Sequence, residues 1–180
     1  MTSFFNRIVL SARLNPGIYE EVEADRSAMG QAIAVVILSS LAAGIGSLRY
    51  VGTSGLILGT LSALLGWLIW AGITYFVGTR LLAVPETRTD YGELLRTIGF
   101  ASSPGIIRIL GFIPGLMNTV FFVAGIWMLL AMVIAVRQAL DYQSTWRAAG
   151  VCLIGWIIQA VLIALFFNFA GISPVEQGAA

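Results

Sequence analysis

Five long apolar runs, separated by short polar or charged turns, set the pattern of this chain. They cover about Met29 to Leu48, Leu56 to Leu82, Thr97 to Ile113, Asn118 to Val136 and Ala148 to Ala170. A helix needs about 20 mostly apolar residues to cross a bilayer core. The pattern therefore predicts an all-α, polytopic helical membrane protein with five transmembrane helices. Ahead of them, Phe4, Phe5, Ile8, Val9 and Ala12 recur at helical spacing, with Asn6, Arg7 and Arg13 largely on the other side. That predicts a short N-terminal interfacial helix, with its arginines facing lipid headgroups or packed against the protein's own cytoplasmic loops. The expected organisation is an interfacial and cytoplasmic segment over 1–28, a transmembrane domain over 29–170 and a disordered tail over 171–180.

Punctuation along the chain supports these boundaries. Asn15 suits a helix N-cap and Pro16 the first helical position. Glu20, Glu21 and Glu23 follow near that positive helix end. Pro85 stops any helix leaving the second span. Asp90 and Glu93 have capping-box spacing, and Glu93 and Arg96 stand three apart, close enough to pair on one helix face. Pro104 removes a backbone donor in the third span and should kink or break it, even to a re-entrant hairpin. Pro114-Gly115 then predicts a tight turn, with Asn118 as the next cap.

Within the spans, Ala42, Ala43, Gly44 and Gly46 allow close helix approach, and Gly55/Gly59 and Ser62/Gly66 are spaced for a second packing edge. Trp67 and Trp70 lie too deep for an interfacial belt and are expected to fill space between helices or face lipid. Gln159 is polar at membrane depth and is expected to bond a neighbouring helix. Trp146 beside Arg147 marks a membrane boundary.

Composition agrees: 58% of the 180 residues are hydrophobic and only 11% charged, with mean hydropathy +0.91. A soluble domain carries about 25% charged residues. The net charge of +1 offers no case for nucleic acid binding. All ten basic residues are arginine. With the N-terminus inside, Arg7, Arg13, Arg26, Arg80, Arg88, Arg96, Arg137 and Arg147 fall on the cytoplasmic side and Arg49 outside. The positive-inside rule then places the N-terminus in the cytoplasm and the C-terminus outside. A bacterial cytoplasmic (inner) membrane is the expected location.

Candidate chemistry is sparse. There is no histidine, and the single Cys152 rules out an internal disulfide. No nucleophile–base pair, phosphate loop or metal spacing is present, so no enzyme activity and no cofactor are expected. Arg108 stands alone among uncharged residues, one turn after Pro104. Carbonyls freed at the proline can accept its hydrogen bonds; it can instead snorkel outward, meet a lipid headgroup or anionic partner, or line a transport path. The candidate functional residues are Arg108, Pro104, Glu93, Arg96 and Asp90.

The segment Tyr91-Gly92-Glu93-Leu94-Leu95-Arg96, followed by Ile98-Gly99-Phe100 and Pro104, resembles the core of the Yip family, the Ypt/Rab-interacting membrane proteins and their bacterial relatives. The family pattern has an aromatic after a glycine here, often Tyr where this chain has Phe100, and then a proline in the span. Ile113-Pro114-Gly115, Trp127 and the opening from Phe4 to Glu21 also fit a bacterial-type member. The resemblance implies five spans and a cytoplasmic N-terminus. In eukaryotic members it implies contact with Rab-type GTPases and a role in vesicle traffic or membrane shape, using a long cytoplasmic N-terminal region that this chain lacks. The expected function is a non-catalytic membrane scaffold or accessory subunit, with the bilayer and a protein partner or second copy as its contacts. The alternative is a small transporter or channel for an anionic or small polar solute passing Arg108.

Overall fold

The computed structural model describes residues 2–169 and, among these, every regular element is helical. The order is α1 (Phe4–Ala12), α2 (Pro16–Ala24), α3 (Met29–Gly46), α4 (Leu48–Phe76), α5 (Tyr91–Phe100), α6 (Met117–Ala139) and α7 (Thr145–Phe169). A 3-10 helix, Ser103–Phe112, lies between α5 and α6. The expected disordered tail over 171–180 lies outside the described residues.

Four helical stretches are long and apolar enough to cross a membrane: Arg26–Gly46, Leu48–Leu81, Met117–Ala139 and Thr145–Leu162. They match the first, second, fourth and fifth expected spans. The third is built differently. Its α-helix stops at Phe100 and the chain continues as ten residues of 3-10 helix that open on Ser103 and Pro104. Pro104 has no N–H to continue the α-ladder, and the Ser103 hydroxyl donates to Phe100 O at 2.6 Å. A 3-10 run of this length is unusual, but its rise of about 2.0 Å per residue gives more reach than an α-helix. With α5 at about 1.5 Å per residue, the two pieces reach roughly 35 Å, enough for a hydrocarbon core of about 30 Å.

This broken segment runs parallel to α3. A Cβ on Gly99 would lie 2.8 Å from that of Ala32, one on Gly105 2.2 Å from Ser39 Oγ, and one on Gly46 2.0 Å from Arg108 O. The contacts rise in step along both partners, from Ala32 through Ser39 to Gly46. Lipid supplies no hydrophobic drive between helices, so close backbone approach at small residues carries the association. The turn after the 3-10 helix uses Gly115 at φ +83, a conformation that suits glycine. Asn118 is not the cap of the next helix, which begins one residue earlier at Met117 with no side-chain cap bond.

Of the two arrangements open for the N-terminal helix, the structure shows packing against the protein's own elements. Arg7 does not face lipid: it is 1% exposed and sits among Glu21, Asp25 and Gln31. Two half-buried carboxylates, Glu21 and Asp25, and the Gln31 amide oxygen supply its partners within the chain. Its helix packs on the protein's own elements. The Trp127 indole, midway along α6, donates to Ala12 O at 2.7 Å, and Leu14 lines a pocket together with Leu130 and Val133 of α6. The α1–α2 turn is thus wedged against the flank of the bundle. On α2, Tyr19 and Val22 are wholly buried, and the Tyr19 hydroxyl donates to Ser11 O at 3.1 Å.

Candidate functional site

The five residues singled out in the sequence fall into two groups, at opposite ends of the α5/3-10 segment. Asp90, Glu93 and Arg96 stand at its start, and Pro104 and Arg108 lie past the break.

At the start, the capping box forms as expected. Asp90 Oδ1 accepts from Glu93 N at 2.8 Å, and Asp90 N donates to Glu93 Oε2 at 2.7 Å. Asp90→Ala is expected to cost about 1 kcal/mol, the usual loss of an N-cap, read as a lowered thermal midpoint in detergent. The expected Glu93–Arg96 pair does not form. Glu93 is occupied by the cap, and the buried Arg96 turns to the C-terminal end of α2, donating from Nε to Val22 O at 3.0 Å and from Nη2 to Glu23 O. Those carbonyls have no partner within their own helix, and a cation there also meets the negative end of the dipole. Arg96 therefore ties α2 to α5.

Around this junction the charge is mixed. Burial pushes the Glu23 carboxyl up to about 8 from an ordinary 4.5, helped by the negative charges of Asp141, Glu93 and Glu20 and opposed by Arg96. Arg137 lies in the same cleft. Between about 4.5 and about 8 the folded protein holds a proton here that the unfolded chain has released. Lowering the pH across that window should stabilise the fold, and raising it should cost stability. Glu23→Gln is expected to flatten this part of the stability–pH profile in detergent; parallel profiles for variant and parent would refute it.

Past the break, the Arg108 backbone lies beside Gly46, close to the end of α3. Its side chain does not snorkel to that end. It turns back one 3-10 turn, as helical side chains lean toward the N-terminus. Nε donates to Gly105 O at 3.0 Å, and Nη2 donates to Ser39 O at 3.2 Å and Ser39 Oγ at 2.9 Å. The Phe121 ring faces the guanidinium, 5.9 Å from its centroid. Gly105 O lies one residue past Pro104 and is not among the carbonyls its missing N–H frees, which are those of Phe100 and Ala101; Ser39, on α3, is a partner that sequence spacing does not reveal. Among the described residues Nη1 makes no hydrogen bond and no carboxylate bridges to Arg108, the salt bridges being those of Arg7 to Glu21 and Asp25.

Two cavities meet at Arg108. One, of about 310 Å³, is lined by Ser102, Gln159, Trp67, Trp70 and Trp156 among others; the second, of about 300 Å³, runs along Gly55 and Gly59. Both also touch Ser40 and Ala63. The expected packing edge on α4 is what leaves them open. A Cβ on Gly59 or Gly66 would meet nothing within 4 Å, so these glycines face space rather than a neighbouring helix. Gln159 borders the first cavity and makes no hydrogen bond among the described residues. Trp67 and Trp70 are buried and form walls, their indoles donating to Leu95 O at 3.1 Å and Met132 Sδ at 3.4 Å. The fixed polar and apolar surfaces can bind and orient a ligand. They present no activated nucleophile.

The family comparison bears on the whole of this arrangement. A family model described as the Yip1 domain matches residues 14–167, from the turn before α2 into α7, and the chain belongs to that family. No curated protein and no solved structure matches it. The matched range contains both residue groups and leaves α1, with Arg7, outside.

Proposed function

We propose, from the premise of Yip1-domain membership, that this multi-pass membrane protein works as a non-catalytic scaffold or accessory subunit of a larger membrane assembly. One observation carries the reading: the polar side chains at the arginine-rich end are spent on joining elements. Arg96 holds the end of α2, the Tyr142 hydroxyl sits at 3.0 Å from Gly78 O and 2.8 Å from Leu82 O, and Thr87 Oγ1 donates to Leu140 O at 3.2 Å. Bonds of this kind make a stiff platform and leave the exposed Glu86 and Arg88 for a partner. We place this end in the cytoplasm, because all but two of the arginines belong to it. Purification in a gentle detergent, with identification of co-purifying proteins, tests the proposal. A defined companion that is lost in the Glu86→Arg, Arg88→Glu double variant supports it; a solitary monomer contradicts it.

The two cavities at Arg108 favour one competing reading, a path for a small anionic or polar solute. Flux into liposomes that is lost in Arg108→Ala supports that path. Absent flux, or flux unchanged by the substitution, removes it.

A further inference from the structure

Arg108 is a cation at bilayer depth, without a carboxylate partner among the described residues, and turned away from the nearer end of the bundle. A charged side chain at the centre of a span costs about 2.5–3.5 kcal/mol on insertion scales. Three bonds to Gly105 and Ser39 offset part of that cost, but they use only Nε and Nη2. The two N–H groups of Nη1 remain, at a residue shared by both cavities. Ser102 and Gln159 add a hydroxyl and an amide to the lining, and neither makes a side-chain hydrogen bond among the described residues. Ser40 is already committed, its hydroxyl donating to Ile37 O at 2.9 Å. No acidic residue lines either cavity. The Nη1 N–H groups, the Ser102 hydroxyl and the Gln159 NH2 can all donate, and with one positive charge and no carboxylate beside them they complement an oxyanion.

We propose that Arg108, with Ser102 and Gln159, binds a phosphate-type oxyanion inside the membrane, carried in by an anionic lipid. The second cavity runs beside the small face of α4, and the same helix turns Ile57, Leu58, Leu61 and Leu65 outward. A headgroup can enter over Gly55 and Gly59 while its acyl chains stay against that outward face. Free phosphate shares the recognition chemistry but would gain nothing from this apolar flank. The site is independent of the scaffold reading, which concerns the other end of the α5/3-10 segment.

The test compares full-length protein in nanodiscs of phosphatidylcholine alone with nanodiscs that also contain phosphatidylglycerol. Native mass spectrometry reads the retained lipid, and tryptophan fluorescence reads Trp67, Trp70 and Trp156 during titration. The expected result is retention of phosphatidylglycerol and a saturable fluorescence change, weakened about tenfold or more in Arg108→Gln, as loss of one charge-assisted contact implies. Gly66→Leu fills the cavity from α4 and leaves Arg108 in place, so it decides the matter if Arg108→Gln fails to fold; it should lose retention with its thermal midpoint kept. Retention unchanged in either folded variant overturns the proposal. A saturable response to inorganic phosphate in phosphatidylcholine discs, lost in Arg108→Gln, would overturn the lipid source.

Discussion

Gly46→Leu is expected to destabilise the protein by about 3 kcal/mol, the upper end of the usual overpacking range. A Cβ at Gly46 would stand 2.0 Å from Arg108 O, 3.0 Å from the carbonyl carbon and 3.2 Å from the Phe121 ring. The first two atoms are backbone, so no rotamer change relieves the clash. Either α3 or the 3-10 helix must retreat, and the step-by-step packing from Ala32 to Gly46 is lost with it. Thermal unfolding in detergent reads the effect. Gly59→Leu is the control, because a Cβ there meets nothing within 4 Å. It should change stability by no more than about 0.5 kcal/mol. Equal losses in the two variants would show that close approach at Gly46 does not hold α3 to its neighbour.

Arg7→Ala is expected to free the N-terminal helices. One guanidinium joins three elements: Nη2 lies 2.9 Å from Glu21 Oε1 and 2.8 Å from Asp25 Oδ2, and Nη1 donates to Gln31 Oε1 at 3.0 Å. Removing it leaves two carboxylates facing each other without their cation. The expected loss is about 3 kcal/mol, the low end for breaking a buried pair, because the Glu21 side chain is 32% exposed and partly screened. Amide hydrogen exchange should rise across residues 4–25 and change little in α6. Acid sensitivity follows with a definite sign. Hydrogen bonds from Ser27 and Arg7 hold the Asp25 carboxyl down at about 2 from an ordinary 3.8, and bonds from Thr2 and Arg7 lower Glu21. The stability they add is present above the ordinary carboxylate range and is lost as pH falls toward about 2. Arg7→Ala should shrink that acid limb. Exchange unchanged over residues 4–25 would mean that α1 is held by other contacts.

What could be read in the sequence depended on how local the cause was. The caps at Asn15 and Asp90 need only neighbours two or three residues away, and both form, Asn15 Oδ1 accepting from Gly17 N at 2.9 Å. The proline break is equally local. Four spans are legible because an apolar run must be about as long as the bilayer is thick. Spacing failed where a side chain had a choice of partner. Glu93 and Arg96 are placed to pair, yet the cap takes one and the end of α2 takes the other. Gly55, Gly59 and Gly66 mark a smooth helix face, but nothing local says whether a helix or empty space covers it. Ser39 lies 69 residues from Arg108, and Gln31 24 from Arg7, so neither partner leaves a pattern in the chain. The partner of Arg7 is open in the sequence for the same reason, because an amphipathic helix presents one face alike to lipid phosphates and to carboxylates of its own chain.

We propose that α5 and its 3-10 continuation carry the chain from one membrane face to the other, as a fifth span beside the four long apolar helices. Single cysteines at Arg88 and at the exposed Leu116, placed in a Cys152→Ala background and probed with a membrane-impermeant thiol reagent in intact and opened vesicles, test this directly. Labelling of the two positions from opposite faces is the predicted result. Labelling of both from one face would make the segment a hairpin that dips in and returns, and would reverse the threading of α6 and α7.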